Sequence, residues 1–177
     1  QESLQYPSLN IRGMQSGWVG KEARTIIPSS ATAEMDIRLV LESKPEILIS
    51  SIKNHIKGLG YTVLDHTPKS DERFQYDKII QMKAKVHYPA FRTDSKANEG
   101  EWIIKILNDY YQKSPVIIRT SGGSVPISPF VSQLGVPAIG VPTVNLDNNQ
   151  HSPNENLRLG NYFMGIESFI AILTSSF

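Results

Sequence analysis

Apolar and polar residues alternate in two stretches near the start of the chain, and each stretch predicts a strand. Leu9 and Ile11 alternate with polar neighbours. Over residues 31–39 the period of two is strict, with apolar side chains at the odd positions and mainly charged ones at the even positions. Since odd positions share one face of a strand, we predict that this second strand has one buried face.

Three further runs in the first half are also predicted as strands. Residues 25–27 begin a strand that Pro28 interrupts, and residues 61–64 and 79–86 form two more. Residues 65–78, which mix proline, serine and charges, are predicted to be a loop or an irregular insertion. Together with the helix described next, this order predicts an antiparallel sheet backed by one or more helices.

Helical spacing appears directly after the strand at 31–39. Ser43 and Glu46 have the spacing of a capping box, and Pro45 is tolerated in a first turn. Gly58 and Gly60 are expected to end this helix. Its apolar positions are Leu48, Ile49, Ile52, Ile56 and Leu59.

The pattern changes after residues 88–98, a polar, proline-containing stretch that we predict as the domain boundary. Residues 99–112 form an amphipathic helix, and another closes the chain from about Asn156. Between them lie two short, wholly apolar runs, 116–118 and 137–141. Uninterrupted apolar runs separated by helices are typical of buried strands in an α/β domain.

Composition and charge exclude several classes of protein. Lysine and arginine number 18 and aspartate and glutamate 17, interleaved, so the chain lacks the basic excess of a protein that tracks nucleic acid. It contains no cysteine, which excludes disulfides and thiolate chemistry. No stretch approaches the roughly 18 consecutive apolar residues of a membrane span. We therefore expect neither a nucleic-acid nor a membrane partner, and the compartment stays undetermined between cytoplasmic and periplasmic or secreted.

Two polar loops, 119–124 and 143–155, follow the two apolar runs, where α/β sheets collect ligands. Gly122 and Gly123 in the first allow backbone N–H groups to approach an anion. In the second, asparagine, glutamine and aspartate surround His151 and are able to orient an imidazole. Both loops are also compatible with plain polar turns. The remaining histidines are interpreted as solvated: His55, His66 and His87.

Four segments resemble one known family. Residues 148–156, Asn-Asn-Gln-His-Ser-Pro-Asn-Glu-Asn, are similar to the C-terminal zinc-ligand loop of the aminoacylase/carnosinase/glutamate-carboxypeptidase superfamily of di-zinc metallopeptidases. Residues 122–127 resemble its substrate-binding loop, and residues 23–28 and 36–40 resemble its lid domain. The four landmarks occur in the right order over essentially the whole chain, and the match is close to the carnosinase-like dipeptidase branch.

The resemblance implies a role for individual residues. His151 would be a zinc ligand, and Ser124 would bind substrate together with the backbone of Gly122 and Gly123. Arg38 would pair with the substrate carboxylate, for which the planar guanidinium is suited. From the residues alone, Arg38 is a solvated charge or a cross-strand ion pair. The family's other metal ligands and its general base come from an N-terminal half, so no catalytic residue is assigned in this chain.

The resemblance also implies an architecture and a reaction. Residues 1–90 would be part of a ferredoxin-like α+β lid that forms a homodimer, with Thr25 contacting substrate, and residues 91–177 the C-terminal part of a catalytic α/β domain. The parent enzyme would use two zinc ions, or manganese or cobalt, to hydrolyse a small peptide or N-acyl amino acid with a free carboxylate. Because the chain begins at Gln1 without methionine, we expect it to belong to a longer protein and to be inactive alone.

Two alternatives remain open at this point. The chain could be a non-catalytic dimerisation or binding module derived from the same family. It could also be a ferredoxin-like nucleic-acid binder, against which its near-neutral charge and the lack of an aromatic-basic stripe both argue.

Overall fold

The computed structural model describes residues 2–123 and 125–177, which form an α+β structure. Two compact units are present: residues up to 91 with 122–128, and residues 92–121 with 129–177. The elements in chain order are β1 (Ser8–Ser16), β2 (Ala31–Arg38), α1 (Pro45–Gly58), β3 (Thr62–Leu64), α2 (Ser70–Gln75), β4 (Ile79–Gln81), α3 (Asn98–Tyr111), α4 (Ser128–Leu134) and α5 (Leu159–Thr174). Short 3-10 turns cover Glu2–Gln5 and Gly20–Glu22.

Strands β1 and β2 pair as an antiparallel ribbon with a bulge in β1. Ile11 lies opposite Met35, the register then shifts before Gly13, and Met14 lies opposite Ala33. Side chains alternate between the two faces of a strand, so Met14 would lie on the other face from Ile11 in a regular ladder. The extra residue of the bulge returns Met14 to the apolar face, which therefore continues along the ribbon.

This apolar face is exposed, so the predicted burial of one face over residues 31–39 is wrong for the described chain. Met35 is 49% exposed, and no element covers the face closely enough to bury it. The apolar residues opposite are likewise exposed, namely Leu9, Ile11 and Met14. The period of two identifies which face is apolar, but it does not show what covers that face.

Helix α1 begins and ends for local reasons. Its N-cap is Lys44, whose side chain makes no cap hydrogen bond, so the predicted capping box of Ser43 and Glu46 is wrong. Pro45 takes the first helical position and thereby moves the cap one residue beyond Ser43. The predicted glycine stop is confirmed, since Gly60 follows the helix with φ +86°.

Strands β3 and β4 pair in parallel, whereas the sequence predicts an antiparallel arrangement. Parallel neighbours need a crossover between them. Residues 65–78 supply it and contain α2, so their interpretation as a loop is only partly right. Strand β4 ends at Gln81 and covers only the start of the apolar run 79–86.

The second unit is built on the packing of α3 against α5. Ile106 of α3 is the buried apolar side chain among the described residues. The Tyr111 hydroxyl bonds the Ser168 hydroxyl at 2.8 Å, and the Trp102 indole N–H donates to the Ser176 carbonyl at 2.7 Å. Both helices were predicted within a few residues. Among the described helices, none has the length and apolar character that a membrane crossing requires.

Three predicted strands are wrong: residues 25–27, 116–118 and 137–141 pair with no strand among residues 2–123 and 125–177. Residues 25–27 lie in a bend in which the Ile26 N–H donates to the Arg24 carbonyl at 3.0 Å. Val116 is 88% exposed, although the apolar run 116–118 predicts a buried strand. Apolar composition indicates that a segment tends to be covered, but a strand also needs a hydrogen-bonded neighbour.

Candidate functional site

The loop that carries His151 is closed at its base by the side-chain amide of Asn145. Asn145 is 4% exposed. Its Nδ2 donates to Asp147 Oδ1 at 2.9 Å and to Asn156 Oδ1 at 3.1 Å, while its Oδ1 accepts from the backbone N–H of Arg158 at 3.0 Å. One buried side chain therefore joins the segment that enters the loop to the segment that leaves it.

A second set of contacts reinforces this base. The Arg158 guanidinium pairs with Asp147 Oδ2, and the Asn156 N–H donates to the Asn148 carbonyl at 2.9 Å. The hydrogen bond from Asn145 is the main cause that lowers the pKa of Asp147, and the charge of Arg158 adds to it. Asp147 is accordingly held as a carboxylate that accepts from both partners.

His151 lies between these ends and is exposed. Its backbone is left-handed with φ +64°, as are Asn149 at +53° and Asn154 at +64°. In the described part of the chain no hydrogen bond or ion pair engages the imidazole. The polar residues around it bond to the loop itself: the Gln150 N–H donates to Asn148 Oδ1 at 3.0 Å. The ring nitrogens are thus available for a ligand.

Helix α5 also holds the chain just before this loop. Gly165 of α5 is buried, and a Cβ added there would lie 2.8 Å from Thr143 Cβ. Only glycine allows so close an approach. Helix α5 therefore lies against Thr143, at the start of the loop, and begins directly after Arg158, at the end of the loop.

The two predicted substrate residues of the first unit lie in different environments. Arg38 is at the end of β2, half-exposed, and its Nε donates to Asp36 Oδ2 at 3.0 Å. That carboxylate is two residues away on the same strand, not across the ribbon. Thr25 is exposed in the bend at residues 25–27, next to Arg24, whose guanidinium lies 4.9 Å from the centre of the Trp18 ring.

The predicted glycine loop is described except for one residue. Gly122 is exposed, and a Cβ there would lie 3.2 Å from Leu4 Cδ2. Gly123 is exposed and has open space around it. Ser124, the remaining predicted substrate residue of this loop, lies outside the described residues.

His66 is exposed, as predicted, but the sequence does not predict that both of its ring nitrogens bond carboxylates. Its Nδ1 bonds Asp65 Oδ1 and its Nε2 bonds Glu72 Oε1, both at 2.9 Å. The bond to Asp65, then that to Glu72, raises the pKa of His66. The Lys69 N–H, which donates to Glu72 at 2.8 Å, is the main cause that lowers the pKa of Glu72. The signal in the sequence is the presence of two carboxylates near His66, namely Asp65 and Glu72.

The described residues by themselves do not make a complete metal site. Within 2–123 and 125–177 no three histidine, aspartate or glutamate side chains are grouped to hold an ion. A catalytic zinc takes three protein ligands or more. The exposed and unengaged imidazole of His151 is chemically suited to be one ligand, but the described residues provide no group that would complete such a site.

Comparison with known proteins identifies the relationship. Residues 1–62 match the family described as the peptidase dimerisation domain of M20 peptidases. The chain is 28% identical over 171 residues to the Cys-Gly metallodipeptidase DUG1 of Candida albicans, and 24% identical over 169 residues to the Beta-Ala-His dipeptidase of Mus musculus. Over most of its length the chain is therefore similar to M20 metallopeptidases.

The structural comparison agrees with the M20 relationship. A crystal structure of an M20 family metallo-carboxypeptidase from Sulfolobus solfataricus superimposes with a TM-score of 0.70 and 27% identity, covering 96% of this chain and 36% of that one. The two dipeptidase relatives are matched over 92% and 94% of this chain but only 31% and 32% of their own length. The chain thus spans about a third of the M20 proteins it resembles.

Proposed function

We propose that the chain is the C-terminal portion of a zinc-dependent hydrolase that cleaves peptide or N-acyl bonds of small substrates with a free carboxylate. The observation that carries this proposal is the similarity over at least 92% of the chain to proteins named as metallodipeptidases and dipeptidases. By this proposal the chain contributes to a site that the rest of a longer protein completes, and it is inactive alone.

The exposed surface supports a role within a larger protein. The chain exposes 14,342 Å². A compact monomer of this mass exposes about 8,600 Å², and two separate compact bodies of half the mass expose about 10,400 Å² together. Helix α5 is apolar on most of its surface, which is typical of a helix enclosed on all sides. Its exposed apolar residues are Leu159, Tyr162, Phe163, Met164, Ile166, Phe169, Ile170 and Leu173.

The proposed architecture follows the family. Residues 1–90 form part of a ferredoxin-like lid through which two copies make a homodimer, which the match to a peptidase dimerisation domain supports. Residues 91–177 form the C-terminal part of an α/β catalytic domain. In that domain the rest of the protein covers the apolar runs 116–118 and 137–141, whose side chains are largely exposed in the described chain.

The proposed site uses the residues that the sequence singled out. His151 is a ligand to one of two zinc ions, with manganese or cobalt as substitutes. Arg38 binds the substrate carboxylate, Thr25 contacts substrate from the lid, and the loop at Gly122, Gly123 and Ser124 binds near the carboxylate. When bound, zinc supplies an activated water and polarises the scissile carbonyl.

Metal content and hydrolysis of the full-length protein test the proposal. We expect zinc binding, hydrolysis of unblocked dipeptides or N-acyl amino acids that chelation abolishes, and dimers in sedimentation. His151→Ala should lose zinc affinity and activity together. If the full-length protein binds no zinc and hydrolyses neither substrate class, it is a non-catalytic dimerisation or binding module.

A further inference from the structure

Asn145 is unusual in this chain because its side chain is both polar and buried. Among the described residues only Ser128, Asn145 and Ser168 share that property. The two serines bond backbone carbonyls, those of Pro89 and Met164. Asn145 instead bonds three positions at the two ends of the loop that contains His151, namely Asp147, Asn156 and Arg158. Both of its N–H donors and its oxygen are used, so only one orientation of the amide satisfies all three partners.

The position of the His151 ring depends on the backbone of this loop. No side chain in the described part of the chain bonds the imidazole, so no direct contact orients it. Its φ of +64° and those of Asn149 and Asn154 require a defined path between Asp147 and Asn156. The bonds of Asn145 to these two residues fix both ends of that path.

We propose that Asn145 is a positioning residue for the His151 imidazole: it locks the base of the loop and thereby presents the ring to the metal. This inference rests on the proposed function, in which His151 is a zinc ligand. Asn145 touches neither metal nor substrate; it acts through the loop backbone and through the N–H of Arg158, where α5 begins.

The geometry requires an amide at this position. Alanine would leave the Arg158 N–H and the acceptors on Asp147 and Asn156 without their buried partner. Aspartate has nearly the same shape but no donors. It would place a carboxylate oxygen where Asn145 Nδ2 now lies, 2.9 Å from Asp147 Oδ1, so that two carboxylates would repel each other. Asn145→Ala and Asn145→Asp should therefore both release the loop.

The test compares Asn145→Ala, Asn145→Asp and His151→Ala in the full-length protein. Glu155→Gln is the control, since Glu155 is exposed in the same loop and has no partner among residues 2–123 and 125–177. Three quantities are measured: zinc affinity by competition with a chromogenic chelator, the visible spectrum of the cobalt-loaded protein, and exchange of the Arg158 amide without metal. Loss of an outer partner of a metal ligand weakens metal binding about 10- to 100-fold.

We expect both Asn145 variants to bind zinc about 10- to 100-fold more weakly, to change the cobalt spectrum and to exchange the Arg158 amide faster, with Glu155→Gln unchanged. A merely structural loss would lower the folded fraction but leave the cobalt spectrum of the folded protein as it was. Wild-type zinc affinity and spectrum in Asn145→Ala, with zinc lost in His151→Ala, overturn this inference and leave the proposed function standing. Wild-type zinc affinity in His151→Ala contradicts the proposed function itself.

Discussion

Thr93 and Ala138 are joined by two hydrogen bonds through one hydroxyl group. The Thr93 Oγ1 donates to the Ala138 carbonyl at 2.7 Å and accepts from the Ala138 N–H at 3.0 Å. The run 137–141 has no strand partner among the described residues, so this hydroxyl satisfies backbone groups that a sheet neighbour would otherwise bond.

Replacing Thr93 by valine keeps the shape of the side chain and removes both bonds. We expect Thr93→Val to lower the free energy of unfolding of the full-length protein by about 1–3 kcal/mol, because a donor and an acceptor of Ala138 are left unsatisfied. Urea denaturation measures this loss. Thr93→Ser retains the hydroxyl and is the control, which should keep both bonds; wild-type stability in the valine variant would show that the two bonds do not contribute.

Two glycines of α5 should respond to alanine with opposite signs. Alanine inside a helix is favoured over glycine by about 0.8–1.0 kcal/mol. At Gly160 nothing lies within 4 Å of an added Cβ, so Gly160→Ala should raise the melting temperature slightly. At Gly165 the added Cβ would lie 2.8 Å from Thr143 Cβ, and overpacking of this kind costs about 1–3 kcal/mol. Gly165→Ala should therefore lower the melting temperature. A higher melting temperature in both variants would show that Thr143 moves aside.

The cluster of His66 with Asp65 and Glu72 should make stability depend on pH. The pKa of His66 is raised in the folded state. Its contribution to the free energy of unfolding is therefore complete below about pH 6.5 and is lost as the pH rises through the folded pKa. The pKa values of Asp65 and Glu72 are lowered, so their contributions hold above about 4 to 4.5 and are lost as the pH falls further. The cluster is therefore most stable in weakly acidic solution.

Unfolding in urea between pH 5.5 and 8 checks this dependence. The wild type should lose more stability across this range than His66→Gln, which cannot be charged. His55→Gln on the exposed side of α1 is the control and should keep the wild-type slope. The same slope in His66→Gln would show that the cluster does not contribute.

Under the proposed function, in which Arg38 binds the substrate carboxylate, this residue should affect substrate binding and not the chemical step. Charge-assisted hydrogen bonds contribute about 1.5–3 kcal/mol, so Arg38→Ala in the full-length enzyme should raise KM about 10- to 100-fold for substrates with a free carboxylate. For an amidated substrate, which lacks the free carboxylate, the variant and the wild type should have the same KM. Arg12→Ala is the control, because Arg12 is an exposed residue of the same ribbon paired with Glu34 at 3.7 Å. Unchanged KM and kcat would identify Arg38 as a surface charge that Asp36 neutralises.

The sequence predicts those elements whose signal is contained in their own residues. The alternation in β2 and the helical spacing in α1, α3 and α5 each suffice to locate an element. The run 116–118 was wrongly predicted because a strand depends on a neighbour that its own residues do not specify. The parallel pairing of β3 with β4 was missed for a similar reason, since α2 gives only a weak sequence signal.

For the site, the sequence marks the loop but not how it is held. Asparagines occur throughout residues 145–156, and their side chains are equally suited to bond solvent or backbone. Burial alone separates Asn145 from the other asparagines of this loop, and the order of residues does not show which of them is buried. His66 shows the same limit: its two carboxylate partners are one and six residues away, and only the turn into α2 brings the second within reach.

The left-handed backbone of His151 has a consequence for protein engineering. A side chain at φ +64° costs roughly 1–2 kcal/mol, which exceeds the roughly 0.5–1 kcal/mol that glycine costs in chain entropy. A library selected only for thermal stability should thus enrich His151→Gly. Such a stabilised variant would keep the loop and lose the imidazole that we propose as a zinc ligand, so selection needs a metal-dependent readout alongside heat.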